Sequence, residues 1–76
     1  MDKETKALLV LGLLNEAFGD VRSMIYYIRD FVESYRDWKK ELEEFGVFEV
    51  LENAERLEKI IIEKMDLLKR LEKPRI

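Results

Sequence analysis

Residues 18–46 read FGDVRSMIYYIRDFVESYRDWKKELEEFG, and the spacing of their apolar side chains decides the fold. Val21, Ile25, Ile28, Val32, Tyr35 and Leu42 fall at helical steps, which lines them along one face of an α-helix. Met24, Phe31, Trp38 and Phe45 widen that face. The chain shows no strand-length alternation of apolar and polar residues and none of the glycine and proline punctuation of hairpins. Gly46 ends the stretch. Taken as the left-handed residue just past the helix, it brings Leu42 and Val47 together as the apolar pair that accompanies a Schellman turn. The expected result is a tight antiparallel turn.

Downstream of that turn, Val50, Ala54, Leu57, Ile60, Ile61, Leu67, Leu68 and Leu71 repeat the helical spacing until Pro74 stops it. Val47 and Phe48 are poor caps, so Asn53 is a second candidate for the start of this helix. Upstream, Gly19 can close a first helix and Asp20 can cap the next, although Leu11, Leu14, Phe18 and Val21 keep their phase across the pair. We read a break there. The expectation is an all-α single domain over residues 1–76, with helices of roughly Asp2 to Phe18, Asp20 to Phe45 and Phe48 to Lys73. It is a three-helix bundle, or a long antiparallel helical hairpin if Gly19 does not break the chain, dimerising into a larger helical bundle.

Composition narrows the function. The 76 residues hold 14 basic and 17 acidic side chains, for a net charge of −3. A general polyanion binder carries excess Lys and Arg instead. Cysteine and histidine are absent, which removes disulfides, zinc sites of the usual kind and Cys or His nucleophile and base pairs. No catalytic, cofactor-binding or metal-binding residue is assigned. Glutamine is absent too, while Glu and Lys are abundant, the bias of a protein that works at high temperature. The longest apolar run, Ala7 to Leu14, is too short to span a membrane. Its flanks fit a secretory signal poorly, so the expected compartment is the cytoplasm.

That run is apolar all round a helix, and two helices of one small domain can cover only part of it. We therefore take Leu8, Leu9, Val10, Leu11, Leu13 and Leu14 as an interface with a second chain, in a homodimer. Arg22, Arg29 and Arg36 recur every seven residues with Tyr26 beside them, as a phosphate-binding strip would. Glu33 lies four residues after Arg29 and three before Arg36, and Asp30 four after Tyr26, so an intrahelical ladder is the better reading. Glu41, Glu43 and Glu44 end the middle helix against its dipole and, with Glu49 and Glu52 of the last helix, gather at the hairpin end and mark a surface for a protein partner. Lys64 stands within the apolar positions of the last helix. A dry core does not tolerate a lone ammonium, so it needs water or a carboxylate. Folding about Gly46 and Val47 sets it level with Arg29 and Asp30, with Asp30 or Glu16 as partner and a register-setting role as the hypothesis.

Glu41-x-x-Glu44 followed by Glu63-x-x-Asp66 resembles the paired acidic motif of the all-α nucleotide pyrophosphohydrolases related to MazG. The resemblance covers those two motifs alone, and implies carboxylates converging on magnesium. Glu44 precedes the turn while Glu63 lies about 17 residues beyond it, roughly 25 Å along a helix. Carboxylates that far apart do not share a metal within one hairpin. The sequence thus supports a non-enzymatic helical interaction or assembly module of a thermophile. A nucleic-acid-associated regulator using Arg22, Arg29 and Arg36 is second, and a metal-dependent nucleotide hydrolase third.

Overall fold

A computed structural model describes residues 1–72 of the chain; Pro74 and the basic tail around it, read above as the helix stop, lie outside them. The described residues form helix α1 (Lys3–Ser34), a 3₁₀ turn (Arg36–Trp38), a short helix α2 (Lys39–Glu44) and helix α3 (Val47–Glu72), with no strand among them. Asp2 starts α1: its carboxylate accepts the Thr5 backbone N–H at 2.7 Å, satisfying one of the donors a helix leaves open at its N-terminus.

The expected break at Gly19 is not there. α1 runs through Gly12 and Gly19 without interruption, and both face open space. The phase that Leu11, Leu14, Phe18 and Val21 keep across Gly19 was the stronger signal, because burial of one continuous stripe outweighs the local cost of glycine. The break falls instead at Tyr35, whose φ of −119° and ψ of 37° leave the helix. Ser34, Tyr35, Asp37 and Trp38 are all weak helix formers. Phe31, Tyr35 and Trp38 stack in series there, with ring centroids 4.6 and 4.5 Å apart.

Gly46 has the expected left-handed backbone, with φ at 84°. Its N–H donates to the Glu43 carbonyl at 3.1 Å, its carbonyl accepts from Val50 at 3.0 Å, and α3 begins at Val47 rather than at Asn53. Leu42, on α2, is 3% exposed. The molecule is thus a two-helix antiparallel hairpin, with residues 35–46 forming its closed end. α1 and α3 pack along their length, and the whole is a rod of 56 × 19 × 15 Å. Its radius of gyration is 17.1 Å, against about 11 Å for a compact domain of this length.

The packed seam is regular. On α1 the buried and half-buried positions include Ala7, Leu11, Leu14, Phe18, Val21, Ile25, Ile28 and Val32; on α3 they include Val47, Leu51, Ala54, Glu58, Ile61, Met65 and Leu68. Steps of four and three alternate along both sets, which keeps one stripe of each helix facing the other. The core is thin. Val21, Ile25, Ala54 and Ile61 are its buried cluster, and Ile25 at 2% exposure is the most covered of them.

Candidate functional site

Helical geometry assigns the flanks of this seam. Between antiparallel helices, the residues just C-terminal to one set of seam positions line one edge and those just N-terminal to the other set line the opposite edge. Arg22 and Arg29 occupy the first edge. Arg29 bonds the Glu55 carboxylate of α3, and Arg22 Nε lies 3.6 Å from Glu58. Arg22 also donates to the Tyr26 hydroxyl and stands over the Phe18 and Tyr26 rings at 5.6 and 5.5 Å. Arg36 pairs with Glu33 at 3.2 Å. Of the expected intrahelical ladder the Glu33–Arg36 rung is present, while Arg29 pairs with Glu55 rather than Glu33, and Arg22 too reaches across to α3, because these positions flank the seam. Sequence spacing alone finds pairs within a helix, and the register of α3 is needed to find pairs between helices.

The opposite edge is apolar and uncovered. From α1 it carries Val10, Leu13, Met24, Tyr27 and Phe31; from α3 it carries Val50, Leu57, Ile60, Leu67 and Leu71. Each of these is between 40 and 77% exposed. The set runs from one end of the rod to the other and continues at the closed end into the stacked Tyr35 and Trp38. So many exposed large apolar side chains along one edge are unusual on an isolated chain and mark an interaction site.

The proposed interface residues divide accordingly. Leu11 and Leu14 are half-buried in the seam, Val10 and Leu13 lie on the apolar edge, and Leu8 and Leu9 are exposed elsewhere on α1. Lys64 is exposed on α3. It sits on the apolar edge of that helix rather than in its seam, between Ile60 and Leu67. Its level also differs from the expected one. The pairs Arg22–Glu58 and Arg29–Glu55 fix a register in which facing residue numbers add to between 80 and 84. Lys64 therefore stands level with residues 16 to 20 rather than with Arg29 and Asp30, because residues 35–46 are taken up by the closed end and the chain does not fold symmetrically about Gly46. Among the described residues Lys64 makes no salt bridge to Asp30 or Glu16.

The acidic residues Glu41, Glu43, Glu44, Glu49 and Glu52 are exposed on α2 and the first turns of α3. Trp38 and Phe45 lie among them, 50 and 76% exposed, beside a shallow groove lined also by Asp37 and Glu41. Glu63 and Asp66 stand on α3 well away from that end; Glu63 comes 16 residues after Val47, about 24 Å along the helix. Among the described residues no three carboxylates converge in a way that would hold a metal ion. A surface depression open to solvent is lined by Arg29, Glu52, Glu55, Arg56, Glu58 and Lys59, whose charges largely neutralise one another. No helix among the described residues is long and apolar enough to cross a membrane.

No family model matches the chain, and no solved structure matches it. A sequence relative exists in Archaeoglobus fulgidus: an uncharacterized protein, 55% identical over 71 residues that cover 93% of this chain and 93% of the relative. That source fits the thermophilic reading of the composition. Identity at this level over nearly the full length of both chains leaves no room for a different fold, and the chain belongs to the same family as the Archaeoglobus fulgidus protein.

Proposed function

We propose that the protein is a non-enzymatic helical module that works by assembly, first with a second copy of itself and then, through the acidic closed end, with another protein. The observation that carries this reading is the uncovered apolar edge of a hairpin whose own core is thin. A domain this small has little stability to spare, and a second chain is the supplement that the absence of disulfides leaves. The nucleic-acid reading loses support because Arg22 and Arg29 are engaged by Glu58 and Glu55. The hydrolase reading loses support because its two acidic motifs are separated along the rod. The cytoplasm is the compartment we assign to the module.

Sedimentation equilibrium at micromolar concentration tests the assembly. A dimer is expected, and a monomer across the micromolar range refutes the reading. Leu11→Asp is the wrong probe for the interface alone, since Leu11 belongs to the α1–α3 seam and a charge there damages the hairpin itself. Leu13→Asp, on the edge, is expected to weaken dimerisation about 30-fold or more while leaving helicity intact.

A further inference from the structure

Two charges interrupt the apolar edge, Asp20 on α1 and Lys64 on α3. Asp20 falls midway between Val10 and Phe31, in the row of Leu13 and Tyr27, and Lys64 falls between Ile60 and Leu67. Both are exposed, and among the described residues neither makes a salt bridge. The register places Lys64 level with residues 16 to 20, so the two opposite charges sit at nearly the same height near the middle of one face. We infer that the occupant of this edge is a second copy of the chain, related by a two-fold axis parallel to the helices, so that each α1 packs against the other copy's α3 and each Asp20 meets the other copy's Lys64. The inference rests on the assembly reading above and specifies its geometry.

Area supports a second copy as the occupant. The rod exposes 6518 Å² for a mass of 9.2 kDa, where a compact monomer of that mass exposes about 4,900 Å². The excess of roughly 1,600 Å² comfortably exceeds the about 800 Å² that each partner contributes to a standard interface. Charge selects the axis. A two-fold axis perpendicular to the helices at mid-rod would lay α1 on α1 and set one Asp20 carboxylate against the other, two like charges within an apolar contact. The parallel axis pairs each with its opposite and does so twice, as an isologous contact requires. It also leaves the Arg22 and Arg29 edge outside the contact, where those pairs are already made.

Charge reversal tests this in a way that separates it from the assembly reading. D20K alone and K64D alone each place like charges at both contacts, and each is expected to weaken its homodimer about tenfold or more. Mixed together, the two chains regain opposite charges at both contacts, so the heterodimer is expected well above the roughly one-half that random exchange gives. The double variant D20K/K64D is expected to dimerise alone as the wild type does. Circular dichroism of each chain reports that the hairpin is intact. A wild-type dimer whose D20K and K64D mixture stays statistical overturns this geometry and leaves the assembly reading standing; a monomeric wild type overturns both. The chain has no cysteine, so a D20C homodimer that oxidises readily to a disulfide-linked pair places α1 on α1 and likewise overturns it.

Discussion

Two residues set the local geometry by mechanisms that operate at a single position. Gly46 carries a φ of 84° between α2 and α3, and any residue with a Cβ is strained there. Gly46→Val is expected to cost about 1 kcal/mol or more in urea denaturation; an unchanged midpoint would refute the turn. This residue was legible in the sequence because glycine at that conformation leaves a chemical signature, with Leu42 and Val47 to either side. Asp2 acts through its charge. The Thr5 backbone N–H, and after it the Thr5 side chain, hold the Asp2 carboxyl below its ordinary value of 3.8. A carboxyl whose pKa is lowered by folding stabilises the folded state above its ordinary value, and loses that contribution as pH falls through the lowered one. The melting temperature of Asp2→Ala should therefore lie below that of the wild type at neutral pH, and the two should converge in strong acid. Lys64 shows what a sequence leaves open at this scale. Its place among apolar positions was visible, but α3 carries two apolar stripes, and nothing within α3 says which of them faces α1.

At the scale of the helix, continuity won over punctuation. Gly19 was the most visible interruption in the sequence, yet α1 passes through it, since the seam on either side is longer than the defect. An added Cβ at Gly19 meets nothing within 4 Å, and Gly19→Ala should raise stability by about 1 kcal/mol, as removal of glycine from an exposed helix interior does. A loss of stability in thermal melts would show that the helix does break there. The real break at Tyr35 has neither glycine nor proline to announce it. It is imposed by the hairpin as a whole, because α1 has to stop where α3 begins. The charged edge belongs to this scale too. Arg29 and Glu55 are about half exposed, at 52 and 40%, and water screens such a pair. A double-mutant cycle on Arg29→Ala and Glu55→Ala should give a coupling below about 1 kcal/mol.

For the whole molecule, the all-α class and the antiparallel hairpin followed from periodicity, whereas the division into a charged edge and an apolar edge needed the register between α1 and α3. That register is a long-range quantity, and no window of one helix contains it. If the apolar edge is the assembly surface, folding and association are coupled, and the melting temperature should rise with protein concentration; a melting temperature independent of concentration from micromolar to millimolar would count against it. The constant sum of facing residue numbers also governs how such a chain can change in length. One residue inserted into either arm turns everything beyond it by about 100° and exchanges the seam for an edge. Seven residues removed from both arms at one height restore every face, and the rod only becomes shorter. A chain lacking residues 22–28 and 52–58 together should fold cooperatively as a shortened hairpin, while a chain lacking a single residue in the middle of either arm should not. Members of the family that differ in length are accordingly expected to do so by paired sevens in the arms, with residues 35–46 as the segment free to vary by single residues.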